Sequence, residues 1–133
     1  MEARKSLEIS ISRMAVIKRT EEDLKKLEEN LNNMELNITN ANESKKIDIL
    51  FHRILAQSTH NSIMVRLLET ISEQMDKAME EIRRISFNRP GLTKRILEEH
   101  RSIYQAVVEK NPILAQQNML DHLEHFENEM IEY

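Results

Sequence analysis

Four side chains of types that bind transition metals stand at helical spacing in this sequence. Asp48 and His52 are four residues apart, so one face of a helix presents both. His100 and His122 each fall among apolar residues of a later segment, which points them toward a helical core. A buried carboxylate is rare unless it is paired or bound to a cation. One carboxylate and three imidazoles suit zinc, nickel, cobalt or manganese, and an octahedral metal would keep two positions for water or a small molecule.

Each of these residues also has an ordinary structural explanation. A single histidine on an apolar helix face is more often a satisfied core residue than a ligand, and Asp48 alone fits a solvated helix flank. The other two histidines fit a metal site less well. His125 shares a face with polar residues and is assigned no role, whereas His60 stands beside Asn61 at a helix junction, as a local cap or rim residue.

Other metal and catalytic motifs are absent from the sequence. Di-iron carboxylate bundles carry Glu-x-x-His, but no glutamate stands three residues before any of the five histidines. The zinc motif His-Glu-x-x-His does not occur, and a single glycine cannot build a glycine-rich phosphate loop. No serine, histidine and aspartate arrangement is marked by local sequence. The four residues above therefore carry the chemical signal.

The composition predicts that α-helices position these residues. The 133 residues include one Gly and two Pro, and good helix formers are abundant, so the chain is expected to be almost wholly α. Six helices are predicted, joined by short connections that make neighbours roughly antiparallel, in a single domain spanning 1–133. The predicted helices cover about 3–18, from after Thr20 to about Met34, about 43–58, from after Asn61 to the break at Ser86–Gly91, from Leu92 to Val108, and from Asn111-Pro112 to the C-terminus.

Charge and cysteine content narrow the function classes. The net charge is −4, which argues against a chain that grips nucleic acid by itself, because such domains usually carry a basic patch. The absence of cysteine excludes disulfides, thiolate catalysis and cysteine-based zinc sites. No apolar run approaches the length of a membrane span, which is roughly 18 residues. A soluble cytoplasmic protein is the expectation.

With these residues established, nearly the whole chain resembles the FCD domain, the C-terminal effector-binding and dimerisation domain of FadR-subfamily GntR transcription regulators of bacteria. The segment DILFHRILAQSTHN is similar to the family signature D-x-x-F-H…A…T-x-N. The segment LEEHRSIYQAVVEKNPILAQQNMLDHL is similar to the closing pattern E-H-x-x-I…A…D-x-x-A…M-x-x-H-L. The opening residues resemble the family's first two helices, which begin with Arg-x-x-Leu-Glu.

The resemblance implies roles for six residues. The family's metal ligands correspond to Asp48, His52, His100 and His122. Asn61 matches the signature Asn and is expected to line the effector cavity, with helix capping as an equal alternative. Arg4 matches the Arg of the first helix and is expected to reach a carboxylate effector, with a frayed N-terminal turn as the alternative.

The resemblance implies a sensor of a small organic acid. The effector would be a hydroxy acid, a sugar acid or a dicarboxylate, bound beside a divalent metal, with zinc or nickel first and manganese or cobalt as alternatives. The domain would be a homodimer and would control DNA through an N-terminal winged helix-turn-helix domain that these 133 residues lack, so a fragment of a longer regulator is expected. We expect no enzymatic activity. A metal-dependent hydrolase and a plain helical interaction module are the alternatives.

Overall fold

Six α-helices follow one another in a computed structural model of the chain, which describes residues 2–131, apart from the side chains of 77–79, 82, 83, 130 and 131. Ala78, Met79, Ile82 and Met130, which the periodicity assigns to apolar helix stripes, therefore lie outside the described residues. The helices are α1 Glu2–Lys18, α2 Glu21–Leu36, α3 Ala41–Gln57, α4 Ser62–Phe87, α5 Leu92–Val108 and α6 Pro112–Ile131. The all-α prediction is confirmed, and residues 2–131 contain no strand.

Side-chain caps fix where several of the helices begin. Thr20 and Asp23 form a capping box: Asp23 N–H donates to Thr20 Oγ1 at 3.2 Å, and Thr20 N–H donates to Asp23 Oδ2 at 2.9 Å. Asn61 caps α4 by accepting from Ile63 N–H at 3.0 Å. The third helix begins two residues earlier than predicted, because Asn40 caps it by accepting from Glu43 N–H. The caps thus set the short connections that bring the helices together.

All six helices contribute buried side chains to one core. Helix α1 packs chiefly against α6, while α3 packs against α2 and α4, and α5 packs against α6. The large, fully buried side chains of the core include Phe51, Ile103, Met119 and Leu123, each at most 1% exposed. In this packing the inward faces of α3, α5 and α6 meet, so polar residues on these faces can contact one another. None of the described helices is long and apolar enough to cross a membrane.

Candidate metal centre and the adjoining cavity

The structure brings together the four residues that the sequence selected as metal ligands. We call Asp48, His52, His100 and His122 the candidate metal centre; all four are buried, and each offers one ligand atom within 4.8 Å of the others. Asp48 Oδ1 lies 3.0 Å from His100 Nε2 and 3.5 Å from His52 Nε2. The Nε2 atoms of His100 and His122 are 3.2 Å apart. Metal–nitrogen bonds of roughly 2.1 Å place neighbouring donor atoms about 3.0–3.4 Å apart, so the spacing fits a transition metal.

Unsatisfied polar atoms in the candidate metal centre support that fit. Despite these short approaches, neither Asp48 Oδ1 nor His52 Nε2 has a hydrogen bond of adequate geometry among the described residues. Buried polar atoms are nearly always hydrogen-bonded, because the cost of desolvating them is otherwise not recovered. A divalent cation would bind the carboxylate oxygen and the imidazole nitrogens at once. The donor set and the orphaned atoms therefore both match a metal.

Two carboxylates orient two of the imidazoles. Nδ1 of His52 contacts the Glu8 carboxylate, and Nδ1 of His122 lies 2.8 Å from Glu99 Oε1. A carboxylate on one ring nitrogen fixes the tautomer and leaves the other nitrogen free as a ligand, which is the usual arrangement around metal-bound histidines. In both residues the free nitrogen is the Nε2 that faces the candidate metal centre. Glu8 and Glu99 thus prepare these two side chains for coordination.

His100 is held by packing. Its ring stacks on Phe51 with centroids 4.0 Å apart and an interplanar angle of 12°, and both side chains are fully buried. Its Nδ1 has no hydrogen-bond partner among the described residues. The His100 ring also meets the rings of His52 and His122 edge to face. The orientation of this ligand therefore depends on the core around it.

Burial and neighbouring charges shift the pKa values of His52, His100 and Asp48 in opposite directions. Burial alone would lower the pKa of His52, but the carboxylates of Glu8 and Asp48 raise it to about 9. For His100 burial dominates and lowers the pKa to about 3. Burial alone would raise the pKa of Asp48, but the close approach of the His100 and His52 rings holds it well below its usual range. Without metal at neutral pH, His52 is therefore protonated and His100 is neutral.

A cavity of about 340 Å³ opens beside the candidate metal centre, between α1, α3 and α4. Its volume falls at the lower end of the range for small-molecule sites, about 300–1,000 Å³. His52 belongs both to the candidate metal centre and to the cavity wall. The wall mixes apolar and charged side chains, namely Arg4, Ile49, His52, Arg53, Leu68, Glu69, Ser72, Glu73, Met75 and Asp76. A small ligand in this cavity would lie next to the candidate metal centre.

Comparison with known proteins identifies the family. The family model described as FCD domain matches residues 1–125. This chain belongs to the FCD domain family. It is 34% identical over 134 residues to the HTH-type transcriptional regulator LutR of Bacillus subtilis, covering 100% of this chain and 61% of that protein. It is 29% identical to the Uxu operon transcriptional regulator of Escherichia coli, covering 100% of this chain and 53% of that protein. A shorter match, 30% identical over 81 residues, covers 61% of this chain and 32% of the Glc operon transcriptional activator of Escherichia coli.

These relatives are GntR-family transcription regulators, which confirms the family expected from the sequence. This FCD domain spans about three fifths or less of the length of each of them. The match of residues 1–125 includes all four residues of the candidate metal centre.

The structure places the two predicted effector contacts of the FCD domain differently. Arg4 is buried, at 7% exposure, and lines the cavity, while its Nε donates to Glu8 Oε2 at 2.6 Å. The frayed-turn alternative does not fit this burial. The Asn61 side chain caps α4, and Asn61 is not among the described residues that line the cavity. Arg4 therefore lies in the cavity wall, Asn61 lies at the start of α4 as its cap, and the contact of either residue with an effector stays a prediction.

The remaining histidines lie outside the candidate metal centre. His60 is half exposed, adopts a positive φ of 53°, and its Nε2 lies 2.7 Å from Asp23 Oδ2, which ties the α3–α4 corner to the start of α2. His125 is exposed, as expected, but its Nδ1 lies 2.6 Å from Glu99 Oε2. That contact links a surface histidine to the carboxylate that orients His122, a connection that the sequence analysis missed.

The folding stability of the metal-free protein should depend on pH through His52. The charged and titratable groups around His52 are Arg4 and Glu8 on α1, Asp48 on α3, Glu73 and Asp76 on α4, His100 on α5 and His122 on α6. Because the folded pKa of His52, about 9, exceeds its ordinary value of 6.5, protonated His52 contributes its full stabilisation below about pH 6.5, and this is lost as the pH rises through about 9.

Since the His52 imidazole must lose a proton to bind metal, metal affinity should rise by up to about tenfold per pH unit between about pH 6.5 and pH 9. Calorimetric titration with zinc at neutral pH, in buffers of different ionisation enthalpy, should give about one proton released per metal. A release near zero would show that His52 is already neutral or does not coordinate.

Proposed function

We propose that this FCD domain is the effector-sensing and dimerisation part of a transcription regulator, and that it binds a divalent metal together with a small carboxylate. Asp48, His52, His100 and His122 would hold the metal, with zinc or nickel first and manganese or cobalt as alternatives. The observation that carries the proposal is that His52 belongs to both the candidate metal centre and the cavity wall, with Arg4 beside it. The relatives act in transcription, which favours sensing over catalysis.

The residues around the cavity suit an anionic ligand. A metal bound there would supply open coordination positions for carboxylate oxygens. Replacing one proton on His52 by a divalent cation would raise the local positive charge by about one unit, which favours an anion. Arg4 lies on the same wall, and guanidinium groups recognise carboxylates through paired hydrogen bonds. Ile49, Leu68 and Met75 give that wall apolar area for the ligand's carbon atoms.

Regulation of DNA binding would also involve parts of the protein beyond this domain. Effector binding shifts a conformational equilibrium only by its differential affinity for the two states, so the ligand must prefer one arrangement of the helices. The protein would be cytoplasmic, and an N-terminal domain outside these 133 residues would contact the DNA.

A homodimer is supported by apolar exposure on α4, where Ile63 is 64% exposed and Leu67, one turn later, is 46% exposed. Light scattering of the purified domain measures its oligomeric state.

A thermal-shift screen of carboxylates, with and without metal, tests the sensing role. Millimolar lactate, gluconate and citrate should be compared on metal-free and zinc-loaded protein. A ligand that binds only the folded, metal-loaded form raises the melting temperature in that form alone, by an amount that grows with its concentration. The Arg4→Met variant should lose most of the carboxylate shift and keep the shift caused by zinc. Equal carboxylate shifts with and without zinc would contradict a metal-assisted site, and turnover of the carboxylate would favour an enzyme.

A further inference from the structure

Glu8 joins two functional parts of the molecule, the candidate metal centre and the cavity, through one buried carboxylate. Its side chain is 1% exposed; Oε1 contacts Nδ1 of His52 on α3, and Oε2 accepts from Nε of Arg4 on its own helix at 2.6 Å. His52 belongs to the candidate metal centre, and Arg4 lines the cavity. A buried carboxylate costs several kcal/mol to desolvate, so both of its oxygens need strong partners. Glu8 therefore holds its geometry only while both contacts persist.

Metal occupancy changes one of these two contacts. Nε2 of His52 faces the candidate metal centre and has no hydrogen-bond partner among the described residues, while Nδ1 faces Glu8. When a metal takes Nε2, the His52 ring is held in one position, and Nδ1, which contacts Glu8, is held with it. The contact between α3 and α1 is then restrained by the metal on one side of the ring and by Glu8 on the other.

Glu99 makes the corresponding contact elsewhere in the bundle. It orients His122 from α5, and its other oxygen lies 2.6 Å from Nδ1 of the exposed His125. Both partners of Glu99 are on α6, so this carboxylate ties α5 to α6 and does not reach α1. The two carboxylates serve similar ligands and differ in the helix that they secure.

We propose that Glu8 is a positioning residue that transmits occupancy of the candidate metal centre to α1 and to Arg4 at the cavity, through its contact with His52. This inference rests on the metal site of the proposed function. Loading the metal orders the N-terminal half of α1 through Glu8, and thereby fixes the guanidinium of Arg4 beside the ligand. The metal then acts on the cavity both as a coordinating centre and by setting the position of the Arg4 side chain.

Hydrogen exchange with Co²⁺ as the probe tests the transmission. In the wild type, saturating Co²⁺ should slow amide exchange in peptides covering residues 2–12 by at least about threefold, and should also slow exchange around His100 and His122. In Glu8→Gln the peptides around His100 and His122 should still be slowed, whereas the slowing in α1 should be lost. Glu8→Asp, which keeps the charge but is too short to reach both partners, should behave in the same way with a smaller effect on folding.

The matched control is Glu99→Gln, which makes the same change on the other orienting carboxylate. It should weaken Co²⁺ binding by about 10–100-fold and, at saturating metal, keep the slowing in α1. Equal slowing of α1 in Glu8→Gln and in the wild type would overturn the inference, as would a wild type in which Co²⁺ slows exchange in α5 and α6 but not in α1. A wild type that binds no Co²⁺ at all would overturn the metal site as well, so the two failures are distinguishable.

Discussion

Replacing His100 or His122 with alanine should leave the purified domain without metal. Elemental analysis of the wild type should give about one transition metal per chain, and either variant should fall close to zero. The expectation follows from the geometry, because His100 Nε2 lies 3.0 Å from Asp48 Oδ1 and 3.2 Å from His122 Nε2. Removing either ring takes away one of four converging ligands and leaves a void that the packed core cannot fill with another donor.

The melting temperature gives a second measurement of metal loss in these variants. A metal held at a free concentration about 100 times its Kd stabilises the folded form by about 2.7 kcal/mol, so a chelator should lower the melting temperature of the wild type. The chelator should have no effect on His100→Ala. His60→Ala is the control, since His60 is half exposed, contacts Asp23 and does not belong to the candidate metal centre, and it should retain the metal. Unchanged metal content in His100→Ala, or a metal-free wild type that ignores chelators, would contradict the metal site.

Local signals in the sequence account for the helices and for the four candidate ligands. Thr20 with Asp23, and Asn61, are caps whose hydrogen bonds form within three residues, so the starts of α2 and α4 follow from short-range chemistry. The Asp48 and His52 spacing is equally local. His100 and His122 sit on apolar stripes, and a stripe indicates which face of a helix turns inward.

The orienting carboxylates were harder to predict because their partners lie far along the chain. Glu8 contacts a residue 44 positions later, and Glu99 contacts one 23 positions later. Glu8 did carry a signal: it stands four residues after Arg4 and three before Ile11, on the stripe that α1 buries. Two opposite charges at that spacing on a buried face indicate an internal pair. Glu99 gives no such signal, because its reach to His122 depends on how far α5 and α6 are offset.

The cavity also depends on tertiary packing, since its wall combines residues of α1, α3 and α4. Leu67 illustrates the limit of periodicity on α4. It lies among the apolar residues of the predicted fourth helix and yet is 46% exposed, because α4 is only partly covered by its neighbours. A stripe predicts an apolar face; whether another part of this chain covers that face depends on the arrangement of the helices.

Phe51→Ala should destabilise the domain by about 3–5 kcal/mol and also weaken metal binding. Phe51 is fully buried and stacks on His100, whose Nδ1 has no hydrogen-bond partner among the described residues. Without the stacked ring, His100 gains rotamer freedom that metal binding must remove again. A loss of at least about tenfold in affinity, equivalent to about 1.4 kcal/mol, should follow. Chemical denaturation measures the first effect and competition with a chelating dye measures the second.

Phe87→Ala separates orientation of the ligand from general loss of the core. Phe87 is also buried, at 3% exposure, and packs edge to face on Phe126 at 6.0 Å, and neither residue belongs to the candidate metal centre. Its replacement should cost a similar free energy of unfolding and leave the metal affinity of the folded protein unchanged. If Phe51→Ala folds too poorly to measure, Phe51→Leu removes the stacking at a smaller cost of about 1–2 kcal/mol. Equal metal affinity in the Phe51 and Phe87 variants would mean that His100 is oriented by something other than this ring, because both variants lose a comparable amount of core and only one loses the stacked contact.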